Sequence, residues 1–140
     1  MESTARWIDG LKFETTFSTG HTIALDTSAE QGGGDDGPRP VEMLLAGLAG
    51  CTGMDVIAIL RKKRQDVTCF TVRVTGDRGD APPRTFTRIH VVYEVEGRSV
   101  DLEAVRQAVL LSEEKYCSVA AMLRRAAPIT SEIVLREAKS

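Results

Sequence analysis

One long apolar run, RPVEMLLAGLAGCTGMDVIAILRKKR, dominates what this chain can fold into. Between Glu42 and Asp55 it holds no bulky polar side chain, and it ends in the basic residues Arg61, Lys62, Lys63 and Arg64. Pro40 suits a first helical turn, where its missing N–H costs nothing, and the basic end complements the negative C-terminus of a helix. The pattern predicts a helix over residues 40–64. Gly47, Gly50 and Gly53 recur at every third position, although each costs about 1 kcal/mol relative to Ala inside a helix. Some other backbone, that of a sheet or of the same helix in a second subunit, must therefore approach closely. The most apolar part, residues 43–60, is interrupted by Thr52 and Asp55 and is rich in Gly, so it is read as falling short of a membrane span.

On either side of this run the pattern favours strands before and a mixture after. Residues 12–17 and 21–26 flank a turn-like Ser18-Thr19-Gly20, which predicts a hairpin, with a further strand around residues 6–8 closed by Asp9-Gly10. EQGGGDDGPRP, residues 30–40, reads as a mobile connector, since no Lys-Ser/Thr follows its glycines to make a phosphate cradle. Residues 67–75 and 85–95 alternate apolar and polar side chains, with Phe70, Val72 and Val74 on one face of the first strand. A Gly- and Pro-containing connection joins them. Residues 101–112 carry Leu102, Val105, Val109 and Ser112 at helical spacing behind Asp101 as cap. A shorter helix is expected after Cys117, and a closing strand over residues 129–135. The order βββ-α-ββ-αα-β predicts an α+β fold in one domain, residues 1–140, with a long central helix packed on antiparallel sheet.

The net charge of −2 offers no concentrated basic patch, which sets nucleic acid aside as a partner. MESTARWIDG lacks the apolar core of a signal peptide. Three cysteines, an odd number without disulfide-rich spacing, point to a reducing compartment. A cytoplasmic, soluble protein without a membrane partner is expected.

Two of those cysteines sit in unlike surroundings. Cys51 lies in the apolar helix, whereas Cys117 lies just before Ser118, a good N-cap for the Ala-rich run that follows. A thiolate attacks the terminal oxygen of a peroxide to give a sulfenic acid and an alcohol, and a second thiol then condenses with the sulfenic acid to a disulfide. That chemistry requires no metal and no organic cofactor. Burial in mid-helix should raise the Cys51 pKa, and Asp55, one turn on, should oppose ionisation, so a cation must be brought to the thiol. Each thiol also has a reading as a packing residue. Cys69 falls on the strand face opposite Phe70 and is taken as non-catalytic. His21 and His90 stand alone, and a zinc site from Cys51, Cys117 and one His is a further possible use of the thiols.

GPRPVEMLLAGLAGCTGMDV together with EKYCSVAAML resembles the OsmC/Ohr family of organic hydroperoxide reductases, nearest its YhfA-like branch, over most of the chain from His21 to the last strand. The resemblance implies an intertwined homodimer with two sites at the subunit interface. It also implies a peroxidatic cysteine matching Cys51, a resolving cysteine matching Cys117, an organic hydroperoxide as substrate and a small dithiol such as dihydrolipoamide as reductant. The family holds its thiolate with a Glu and an Arg. Here the carboxylate nearest Pro40 is Glu42, one residue later than in the family pattern. Gly10 stands where the hairpin Arg aligns, leaving Arg39 and Arg6 as substitutes, of which Arg39 is assigned the role. On one straight helix Glu42 and Cys51 would lie about 13 Å apart along the axis and roughly 180° around it, so Glu42 is expected to face the Cys51 of a second copy. A non-catalytic member of the fold, binding a small apolar or electrophilic molecule at the dimer interface, is the alternative.

Overall fold

The computed structural model describes residues 1–139, which form two compact units, Met1–Leu44 and the chain from Leu45 onward. The elements run β1 (Ser3–Asp9), β2 (Lys12–Phe17), β3 (Thr22–Leu25), α1 (Pro40–Lys62), β4 (Asp66–Arg78), β5 (Phe86–Arg98), α2 (Leu102–Leu111), α3 (Ser118–Leu123) and β6 (Ile129–Glu137). All predicted elements are present in the predicted order.

In the first unit β1, β2 and β3 make an antiparallel sheet in that order. Trp7 pairs with Phe13, and Phe13 with Leu25. The Gly-rich segment after β3 is not the mobile connector expected. The carboxylate of Asp26, only 3% exposed, accepts the N–H groups of Thr27 at 2.8 Å and of Gly34 and Asp36 at 3.2 Å each. A short ion pair joins Lys12 to Asp36. Burial works against ionisation of Asp26, but the Thr27 N–H, the strongest influence, and the other two amides hold its carboxyl below the ordinary carboxylate range. Gly33 is required in this arrangement, because a Cβ there would stand 2.2 Å from the Thr27 carbonyl oxygen.

Helix α1 starts as its sequence demands, with Pro40 in the first turn and the Glu42 carboxylate reaching back to the Arg39 N–H at 3.0 Å. This is the backward half of a capping box. It ends two residues before the predicted boundary, since Arg64 turns left-handed at φ 56° and the Gln65 N–H closes on the Leu60 carbonyl at 3.0 Å. By length and composition α1 does meet the requirement for crossing a membrane, contrary to expectation, because Thr52 and Asp55 interrupt its apolar run too little. Its buried stripe, Leu48, Thr52, Val56 and Leu60, is nonetheless that of a core helix with one face on protein.

In the second unit the sheet order is β4-β5-β6. β4 and β5 are antiparallel, with a bulge between Val67 and Cys69 that sets Phe70, Val72 and Val74 on one face. β6 pairs with β5 in parallel, from Ile89 opposite Ile129 to Gly97 opposite Glu137. The sheet is thus mixed, not antiparallel throughout, because α2 and α3 carry the chain back to the start of β5. The central strand β5 supplies the core residues Ile89, Val91, Tyr93 and Val95, and α2 adds Val105, Ala108 and Val109. The Asp101 carboxylate caps α2 as predicted, accepting from the Glu103 N–H at 3.1 Å. Of the three α1 glycines, Gly53 meets the sheet, where a Cβ would stand 3.3 Å from Val72 Cγ2; a Cβ on Gly50 would meet nothing in the chain within 4 Å.

Candidate active site

The side chains of Cys51 and Asp55, one turn apart on α1, converge with that of Cys117. The two sulfurs and a carboxylate oxygen of Asp55 all lie within 4.8 Å of one another. Both thiols are free, Cys51 partly exposed and Cys117 only 3% exposed. Cys117 is delivered by an irregularity. Residues 112–116 form one π-helical turn at the end of α2, in which the Cys117 N–H bonds the Ser112 carbonyl at 2.8 Å, five residues back. Such turns often occur at functional sites. The N-cap of α3 is then Cys117 itself and not Ser118: its backbone is extended, and its sulfur accepts the Ala120 N–H at 3.3 Å.

The two thiols are pushed apart in acidity. Burial acts to raise the Cys51 pKa, but the Val119 N–H, the Cys117 thiol and Ser118 stabilise its thiolate and bring it below the ordinary value of 9.0, against the opposing charge of Asp55. These donors are neutral groups of the second unit, so the cation expected from the sequence is not what lowers this pKa. Burial first, and the neighbouring Cys51 and Asp55 after it, push Cys117 up to about 11 despite the Ala120 N–H. The arrangement is one thiol made more acidic beside one held protonated. Neither histidine joins this cluster. His90 instead bonds Thr130 at 2.7 Å and faces Glu132.

Behind the thiols lies a buried polar network that the sequence reading missed. The Ser112 hydroxyl donates to Asp55 at 2.9 Å and meets the Thr52 hydroxyl at 2.7 Å; Thr52 meets the Tyr93 hydroxyl at 2.9 Å, and Tyr93 donates to Glu113 at 3.0 Å. Thr52, Tyr93 and Ser112 are 0% exposed. Burial pushes the Tyr93 hydroxyl well above the ordinary value of 10.0. The available signal was Ser112, a polar residue completing the apolar stripe of α2, and Thr52 in the middle of an apolar helix.

The remaining predicted site residues belong to the first unit. Arg39 and Glu42 meet through the Arg39 backbone N–H, and among the described residues no ion pair joins their side chains. Arg6 pairs with Glu14 at 3.3 Å across the β1–β2 ladder. Gly10 occupies the β1–β2 turn at φ 50°.

Residues 32–132 match the family model described as OsmC-like protein. Protein YhfA of Escherichia coli K12 is 43% identical over 130 residues, 93% of this chain and 94% of that protein. A hypothetical protein from Aquifex aeolicus VF5 superposes with a TM-score of 0.80 at 32% identity, over 96% of both chains. The organic hydroperoxide resistance protein OhrB of Bacillus subtilis shares the fold, with a TM-score of 0.63 at 20% identity over 94% of this chain and 96% of that one. With its paired thiols on a long helix and on the turn after α2, and with these likenesses across nearly its whole length, the chain belongs to the OsmC-like family.

Proposed function

We propose that this protein is a thiol-dependent peroxidase acting on organic hydroperoxides. The observation that carries the reading is the thiol pair, sulfurs within 4.8 Å, one acidified and the other held protonated. The Cys51 thiolate attacks the terminal oxygen of ROOH; the O–O bond breaks, sulfur takes the oxygen as a sulfenic acid, and the alkoxide leaves as ROH with one proton. Cys117 then loses its proton and attacks the Cys51 sulfur, and the hydroxyl departs with that proton as water. Two thiols and one hydroperoxide give one disulfide, one alcohol and one water, and a small dithiol of the dihydrolipoamide kind returns the disulfide to the thiols. Fold neighbours named for organic hydroperoxide resistance support the substrate class.

The reading includes a homodimer. Leu44, 48% exposed, and Met54, 73% exposed, leave apolar surface on α1, and Gly50 leaves room for a second backbone. Glu42 and Arg39 are assigned to the rim of the site on a second copy, where the guanidinium bridges the carboxylate to the thiolate. Free thiols fit a reducing compartment such as the cytoplasm. The alternative, a non-catalytic protein binding a small apolar or electrophilic molecule, is favoured by one observation: Gly10 brings no side chain to the β1–β2 turn, where relatives with peroxidase chemistry would need an arginine. Mixing reduced protein with cumene hydroperoxide and counting free thiols separates the two. The peroxidase loses two thiols per chain within the mixing period, whereas retention of all three supports the binding protein.

A further inference from the structure

The hydroxyl network behind the thiols does not contain enough hydrogens for its own bonds. Four close O···O links connect Asp55, Ser112, Thr52, Tyr93 and Glu113, at 2.9, 2.7, 2.9 and 3.0 Å. Each link requires one hydrogen, and the three hydroxyls supply three. With both carboxylates ionised, Tyr93 donates to Glu113 and Ser112 to Asp55, and the single Thr52 hydrogen serves only one of its two partners. The other link would then be two oxygens facing each other without a proton, in a place closed to water, since Thr52, Tyr93 and Ser112 are 0% exposed. An unmade bond of this kind costs about 1–3 kcal/mol.

We propose that the network holds a fourth proton, shared between Asp55 and Glu113, and that it serves as a proton relay to the thiol pair. With the proton on Asp55, every hydroxyl donates toward Glu113; with it on Glu113, every hydroxyl donates toward Asp55. Reversing the whole row moves one proton from the half-buried Glu113 to the carboxyl beside both sulfurs. Asp55 lies within 4.8 Å of each thiol, within reach through a small rotation or one water. When Cys51 gives its proton to solvent, the stored proton stands on Asp55, and a neutral Asp55 no longer opposes the thiolate. Used in the peroxidase reading, on which this role rests, the stored proton leaves with the alkoxide as ROH; the ionised Asp55 then takes the Cys117 proton and returns it to the departing hydroxide, and Glu113 takes one proton back from solvent. Beside Asp55 stand Cys51 and Cys117, and Lys62, Lys63 and Tyr116 line the same pocket. Beside Glu113 stand Tyr93 and Arg124, whose guanidinium binds the Glu113 carbonyl oxygen at 2.8 Å.

The test uses Glu113→Gln in the full chain with Cys69→Ser, following the pH dependence of Cys51 alkylation by iodoacetamide. Removing a negative charge would, through the lost Coulomb repulsion alone, ease thiolate formation and move the profile to lower pH. The relay demands the opposite: the Gln amide supplies the missing hydrogen without a proton, Asp55 stays ionised, and the profile moves up by about one unit. An unmoved or lowered profile overturns the proposal. Thr52→Val cuts the row so that both carboxylates ionise. The carboxylic-acid C=O stretch of the reduced wild type, read by infrared spectroscopy in D2O, should disappear in this variant and return in Thr52→Ser; its absence from the wild type also overturns the proposal. Neither readout involves a hydroperoxide, so failure of the peroxidase reading and failure of the relay are distinguishable.

Discussion

At the scale of single residues, the proposed peroxidase chemistry divides labour between the thiols. Cys51→Ser should abolish consumption of hydroperoxide. Cys117→Ser should still consume one equivalent and leave a sulfenic acid at Cys51, trapped by dimedone and found by peptide mass spectrometry. Equal loss of that first equivalent in both variants would contradict the assignment. Serine at 117 also keeps an oxygen at the N-cap of α3, whereas Cys117→Ala should destabilise the chain by about 1 kcal/mol through the lost cap alone. The raised pKa of Cys117 makes a separate prediction about alkali. Folding favours the protonated thiol, so its contribution to stability is complete below the ordinary value of 9.0 and is lost as pH rises through about 11. Urea unfolding across that window should show a smaller loss of stability in Cys117→Ser than in the wild type, and parallel losses would show that Cys117 ionises alike in both states.

Secondary elements were legible wherever a local period carried the information. Alternation in β4, capping by Asp101 and the Pro40 start of α1 all appear as read, because each depends on neighbours within about one turn of chain. Two features were not legible for the same physical reason. The parallel register of β6 and the meeting of Thr52 with Tyr93 and Ser112 depend on partners 41 and 60 residues away, for the latter, and no local pattern encodes them. The π turn at residues 112–116 adds one residue to a helical turn without a distinctive composition, so Cys117 was placed one position outside the cap it occupies. The pairing of Cys51 with Cys117 came from family likeness, not from spacing. Gly50 provides the test at this scale. Since a methyl there touches nothing in the chain, Gly50→Ala should stabilise an isolated subunit by about 1 kcal/mol. If the same face packs on a second copy, the variant should instead associate more weakly in sedimentation velocity.

For the molecule as a whole, assembly and redox state are the properties to measure. The exposed apolar side chains of α1 predict a two-fold dimer at micromolar concentration, and a monomer in sedimentation equilibrium would remove the reason for assigning Glu42 and Arg39 to the site. The parallel return to β6 has a consequence of another kind. Because the chain passes through β4, β5 and α2 between the two thiols, a Cys51–Cys117 bond would tie both hairpin strands and the crossover into a ring of about 65 residues, restricting the unfolded chain by about 4 kcal/mol in the loop-entropy account. Turnover would thereby be written into mechanical firmness: the oxidised protein should melt at higher temperature and resist proteases longer than the reduced one, and calorimetry with and without a reductant would read the state of the thiols without any substrate.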